Sequence, residues 1–211
     1  MTACSIGQIL EELSLDLELA VIKLKAGEII AFPTETFFGL GVDPSNEVAV
    51  DKLLKIKQRH LNEGISLIVS SSEVINALPI KEQFREKRIA LQDRFWPGAL
   101  TLIIDLEQSN LPFSKKLLAA DGSIAIRISS SEVATKLSSA IGGFITATSA
   151  NPHSQAPAKN SIEAAKYFPD IFVLDGKTDS LEPSTIVDTR TIPFSVLRQG
   201  AISLEKIRPY L

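Results

Sequence analysis

The chain has 211 residues, 45% of them apolar, with a formal charge of −3 and a pI near 5.5. That is enough apolar material for one domain with a sizeable core, and the acidic balance argues against attraction of nucleic acid by the molecule as a whole. One cysteine excludes an intramolecular disulfide, and with two histidines it supplies too few ligands for a Cys/His zinc site. No apolar run approaches the ~18 residues of a membrane span and no signal peptide is legible, so a cytoplasmic protein is expected.

In chain order, Ile9, Leu10, Leu13, Leu17, Ala20, Val21 and Leu24 recur at helical spacing over residues 6–26, with Gly27 as a stop. Ser14 is an alternative cap that would split this segment in two. Residues 28–33 predict a strand, which changes abruptly to Pro33-Thr34-Glu35-Thr36, then to Phe37, Phe38, Gly39, Leu40 and Gly41. A plain turn needs only Gly, Asn, Asp or Pro, so two threonines around a glutamate read as polar groups held still at a strand end. Residues 47–59 predict an amphipathic helix, with Ala49, Leu53 and Ile56 on one side and Lys52, Lys55 and Arg59 elsewhere. A strand over 65–70 and a charged helix over 81–95 follow, the latter stopped by Trp96-Pro97-Gly98. Strands are expected at 99–106 and 123–129, then a helix from Ser131 to about Ala140 and a strand at 143–149. Ser161 caps a short helix, 171–175 is a strand, 184–189 and 194–198 pair as the last strands, and a helix starts at Ser203. This order predicts one α/β domain with a twisted mixed parallel and antiparallel sheet flanked by helices.

Familiar nucleotide motifs fail. Gly176-Lys177-Thr178 lacks the earlier glycine of a phosphate loop, where Ile171 stands. Gly39-Leu40-Gly41 begins like a dinucleotide loop, but Pro44 occupies the third glycine position. No Gly-x-Ser-x-Gly elbow is present. What remains is a scatter of polar groups at element ends. Lys57 and Arg59 close a helix, and Arg127 interrupts the apolar alternation of 123–129 with no nearby acid as partner. Thr146, Thr148, Ser149 and Asn151 crowd one strand end, Ser184 and Thr185 begin another strand, and Arg198 ends the next. Singly these have structural explanations: cations serve a helix dipole, and hydroxyls make turns. Together they suit phosphate and carboxylate oxygens.

The segments "AFPTETFFGLGVD", "KIKQRH", "RFWPGALTLI", "IAIRIS", "TATSAN", "PSTIVD" and "VLRQG", in this order and at these separations, closely resemble the YrdC-like family of L-threonylcarbamoyladenylate synthases. The resemblance runs from about Ala20 to Tyr210 and is to the short, single-domain members. It implies a YrdC-like fold with a concave basic cavity, and a nucleotidyl transfer that makes threonylcarbamoyl-AMP and pyrophosphate from L-threonine, bicarbonate or CO2, and ATP. It also implies Mg2+ on the ATP phosphates, and a tRNA-modification partner complex that receives the product. The family's Lys-x-Arg and Ser-x-Asn signatures fall on Lys57, Arg59, Ser149 and Asn151, the implied catalytic set. By motif position, ATP contacts would be Lys57, Arg59, Ser123, Ser149, Asn151 and Arg198, and threonine contacts Thr36, Arg127 and Ser184. In this picture Gly39 and Gly41 let backbone approach the substrate, and Glu35 either organises its loop or meets the substrate ammonium.

Departures from the family pattern include Phe38 where tyrosine is common, Glu63 near the expected triphosphate path, and Ser154-Gln155-Ala156-Pro157 after the Ser-x-Asn signature. A second reading is a module that binds tRNA or double-stranded RNA, or matures ribosomes, without adenylation. It would use Lys52, Lys55 and Arg59 with Lys81, Arg85, Lys87 and Arg88. The acidic total charge and the lack of an aromatic–basic stripe argue against it as the main role, and on the first reading any RNA binding would be weak and salt-sensitive.

Overall fold

Capping side chains and β-branched runs divide the chain into alternating short elements. In the computed structural model, which describes residues 14–58, 64–81, 83–107, 109–180 and 182–211, helix α1 (Leu15–Lys25) begins directly after Ser14. The remainder of the helix expected over 6–26 lies outside the described residues. Helix α2 (Glu47–Ile56) is capped by the Asn46 side chain, which accepts from the Ala49 amide at 3.1 Å. Helix α3 (Ser72–Asn76), unforeseen in the sequence, is capped by Ser71. Helix α4 (Arg85–Phe95) starts four residues later than expected because Phe84 adopts a left-handed φ of 61°. Helices α5 (Glu132–Ala140), α6 (Ser161–Tyr167) and α7 (Leu204–Ile207) follow. The cap of α6 is Asn160, not Ser161: Asn160 Oδ1 accepts from the Glu163 amide at 2.9 Å.

The strands are β1 (Ile30–Phe32), β2 (Gly39–Gly41), β3 (Leu67–Val69), β4 (Leu100–Asp105), β5 (Ser123–Arg127), β6 (Phe144–Thr146), β7 (Thr148–Ser149), β8 (Phe172–Val173), β9 (Thr185–Asp188) and β10 (Ser195–Arg198). They form a mixed α/β architecture in which the strands divide between two sheets, ordered β7-β2-β1-β8 and β10-β9-β4-β5-β3-β6. The strand expected over 143–149 is two strands, one in each sheet. Ala147 is the switch: its amide donates to the Ser66 carbonyl at 2.8 Å and its carbonyl accepts from Ser66 Oγ at 2.5 Å. A second stitch joins the sheets where Thr146 Oγ1 accepts from the Val42 amide at 2.9 Å.

Period-2 alternation decides what the larger sheet buries. Leu100, Leu102 and Ile104 of β4, Ile124 and Ile126 of β5, and Val187 of β9 enter the core. Thr101 and Ile103, Ser123, Ala125 and Arg127, and Ile186 point the other way, into a cavity. Arg127 therefore does not interrupt an alternation; it belongs to the non-core face of 123–129. Strand β10 carries a bulge that pairs Val196 with Val187 and Arg198 with Ile186, leaving Leu197 as the extra residue. A bulge re-aims the side chain that follows it, and here it brings Arg198 opposite a cavity-lining position. Gly41 serves packing rather than substrate approach: a Cβ there would lie 2.6 Å from Phe32 Cε1 and 2.9 Å from Ile145 Cδ1. Gly39, by contrast, does line the cavity.

Candidate functional site

The cavity has a volume of about 600 Å³ and takes walls from both sheets. Thr36, Arg127 and Ser184, together with Ser123, Ser149 and Arg198, all line it. No carboxylate does so among the described residues.

The stretch after β1 is ordered by a relay of hydroxyls. Thr34 Oγ1 donates to the Phe37 carbonyl at 2.7 Å, which uses its single proton. At 3.0 Å from Thr36 Oγ1 it must then accept, so the Thr36 hydroxyl donates to Thr34. Thr36 Oγ1 in turn accepts from Arg127 Nη1 at 3.3 Å. Each bond in such a chain polarises the next. Glu35 is the anion that Arg127 needs, correcting the expectation that no acid is near. Its Oε1 lies 3.2 Å from Arg127 Nη1, both side chains are buried, and Ser129 Oγ donates to the other carboxylate oxygen. The Oε1 contact is ionic: this buried atom has no hydrogen-bond donor aligned with it among the described residues. Glu35 thus meets neither loop amides nor open cavity; it mounts the guanidinium. Burial pushes the Arg127 pKa below the ordinary arginine value and Glu35 opposes that shift. Nε and Nη2 of Arg127 make no hydrogen bond among the described residues, which leaves a two-donor edge of the kind that grips carboxylates.

Across the cavity, Ser184 Oγ pairs with Thr101 Oγ1 at 2.8 Å, and its carbonyl accepts from Arg198 Nε and Nη2 at 3.1 and 2.9 Å. Arg198 Nη1 makes no hydrogen bond among the described residues. Burial first, and then the charge of Arg127, lower the Arg198 pKa, so the two cations concentrate positive potential in one place. Ser123 donates its hydroxyl to Asp121 Oδ1 at 2.6 Å, and Asp121 and Asp188 both bind Arg190. Toward the cavity Ser123 Oγ is therefore an acceptor.

Lys57 and Asn151 are not among the lining residues. Lys57 lies behind the wall, with Nζ donating to the carbonyls of Ser149 and Asn151. Asn151 Nδ2 donates to the carbonyls of Pro152 and Gln155. Arg59 lies outside the described residues, as does Glu63. Both Phe37 and Phe38 touch the cavity, but Phe38 is fully buried in the core whereas Phe37 is half-buried. Sequence reasoning missed Thr101, Ser66 and the Glu35 pairing. Thr101 was findable as the polar residue between Leu100 and Leu102; the others depend on contacts between distant segments. No group of three or more His, Cys, Asp or Glu side chains suited to a metal occurs among the described residues. Nor is any helix among them long and apolar enough to cross a membrane.

Two β-sheets thus enclose a cavity lined by hydroxyls, the buried Arg127 and the exposed Arg198, a lining chemically suited to small anionic groups. The family model described as "Telomere recombination" (Sua5, YciO, YrdC) matches residues 23–200, and the chain belongs to this family. It is 34% identical over 180 residues to the threonylcarbamoyl-AMP synthase of Vibrio campbellii, covering 84% of this chain and 95% of that protein. With the threonylcarbamoyl-AMP synthase of Idiomarina loihiensis it is 37% identical over 179 residues, covering 81% and 91%. The crystal structure of P. abyssi Sua5 complexed with L-threonine superposes with a TM-score of 0.83 at 28% identity, covering 92% of this chain and 57% of that one. The E. coli YciO crystal structure shares the fold, with a TM-score of 0.77 at 20% identity over 92% of each chain.

Proposed function

We propose that this chain is a threonylcarbamoyl-AMP synthase, a nucleotidyltransferase acting on L-threonine, bicarbonate or CO2, and ATP. The observation that carries the reading is that Thr36, Arg127 and Ser184 share one cavity with Ser123, Ser149 and Arg198. In this reading an amino-acid side and a nucleotide side adjoin. The relatives named threonylcarbamoyl-AMP synthase, matched over nearly their whole length, support it.

In this reading the Nε–Nη2 edge of Arg127 takes the threonine carboxylate, and Thr36 and Ser184 hydrogen-bond the amino acid. The amine adds to CO2 and loses a proton, giving a carbamate. A carbamate oxygen then attacks the α-phosphorus of ATP, the bond to the bridging oxygen breaks, and pyrophosphate leaves with that electron pair. Attacker and target are both anionic, so orientation and electrostatic stabilisation supply most of the catalysis. Arg198 and Arg59 would offset phosphate charge, with Ser123, Ser149, Asn151 and Lys57 completing the nucleotide side. Magnesium enters as part of the MgATP substrate. A lining of hydroxyls and guanidiniums, without carboxylates among the described residues, fits an ion held by phosphate oxygens and water. The product passes to a partner complex that modifies tRNA, which assigns the protein to the cytoplasm.

The test is pyrophosphate release from labelled ATP, with detection of the AMP conjugate. Release should require both threonine and bicarbonate. Equal release without threonine would point to a plain ATPase and end the proposal.

A further inference from the structure

We infer that Lys57 is a positioning residue: it builds the Ser149–Asn151 turn that walls the nucleotide side, instead of touching phosphate. The inference rests on the proposed nucleotide site and refines it.

Lys57 is the C-cap of α2 and only 7% exposed. A lysine serving its own helix dipole would fold back on the last carbonyls of that helix. Instead Nζ reaches a segment 92 residues away, where it lies 2.8 Å from the Ser149 carbonyl, 2.7 Å from the Asn151 carbonyl and 3.3 Å from Asn151 Oδ1. An ammonium has three N–H donors, and three acceptors stand within reach of them among the described residues. A phosphate contact would require Nζ to abandon hydrogen bonds at a buried position, where breaking them is costly.

The turn so held is the one that faces the cavity. Ser149 lines it. The next residue, Ala150, donates its amide to the Phe38 carbonyl at 2.7 Å and accepts at its own carbonyl from the Ala158 amide at 3.1 Å. The Phe38 amide then closes a ring by donating to the Ala158 carbonyl at 2.9 Å. Asn151 adds a brace of its own, with Nδ2 donating to the Pro152 carbonyl at 3.1 Å and the Gln155 carbonyl at 2.7 Å. Lys57 and the Asn151 side chain therefore act on one turn from two sides, and removing either loosens the same wall. None of these contacts involves Thr36, Arg127 or Ser184, so the amino-acid side should not feel the change.

A double-mutant cycle on MgATP affinity, measured by calorimetry with Lys57→Met, Asn151→Ala and the pair, tests this. Each single change should weaken MgATP about tenfold, and the pair should stay within about threefold of the worse single, as expected for residues acting as one unit. The threonine KM should change less than about threefold, a split that general unfolding would not give. Multiplied effects, about a hundredfold in the pair, would overturn the inference and make Lys57 an independent nucleotide contact. If Lys57→Met does not fold, Lys57→Gln carries the same prediction. Failure of the native protein to bind MgATP at all would instead remove the nucleotide site itself.

Discussion

Replacing Glu35 by glutamine keeps the side-chain shape but leaves the Arg127 guanidinium without its anion. Both side chains are buried, at 8% and 9% exposure, and their charged atoms are 3.2 Å apart. At an effective dielectric near 20, two unit charges at this distance interact with about 5 kcal/mol. Measured losses on removing one partner of a buried pair are about 3–5 kcal/mol, because an uncompensated charge is left at a largely buried position. Arginine cannot escape by losing its proton. For a chain of this length each kcal/mol lowers Tm by about 2–4 °C, so Glu35→Gln should melt about 6–20 °C lower. Thermal unfolding followed by circular dichroism reads this directly. The control is Glu35→Gln with Arg127→Met, which removes the uncompensated charge and should recover at least about half of the loss. A single variant less than about 1 kcal/mol below the native protein, or a double variant no better than the single, would refute the reasoning.

Other expectations follow from the same structure. Asp121 is held down to about 2, chiefly by the Ser123 hydroxyl, against burial and with help from Arg190. Asp188 is lowered chiefly by Arg190. Depressed carboxylates contribute stability above the unfolded value of about 3.9 and lose it as pH falls through the folded one. The gap in denaturation midpoint between native protein and Arg190→Met should therefore be constant above about pH 5 and shrink from about pH 4 toward 2; a gap that persists unchanged at the acid end contradicts this. Gly41→Ala should cost about 1–3 kcal/mol by overpacking, since its Cβ would meet Phe32 Cε1 at 2.6 Å. Gly39→Ala, whose nearest contact would be 3.4 Å, should cost less, and urea midpoints compare the two. If Phe37 supplies the wall for the threonine methyl, native turnover should favour threonine over serine by about 1–3 kcal/mol, and Phe37→Ala should erase most of that preference. Discrimination that survives the change would assign the methyl contact to another residue.

Much of the secondary structure was legible because its signals are local. Period-2 and helical spacing mark which side of an element is apolar, and Asn46 and Ser131 cap helices through contacts three residues away. The non-core face of 123–129 is written in the chain as Ser, Ala and Arg alternating with Ile, although Arg127 reads there as an interruption. Family motifs marked Thr36, Ser123, Arg127, Ser149, Ser184 and Arg198, which the fold gathers around one cavity. What the sequence alone could not decide was which distant group each polar atom meets. The 143–149 strand reads as continuous, yet it changes sheets at Ala147 because Ser66 binds both of that residue's backbone groups. Arg198 reaches the cavity through a bulge set by its register with β9. Lys57 turns to carbonyls 92 residues away, and Glu35 finds Arg127 only when β1 and β5 come together. A polar side chain advertises its need for a partner in the sequence, but the partner's identity is a matter of register and packing, and these are settled when the two sheets close on each other.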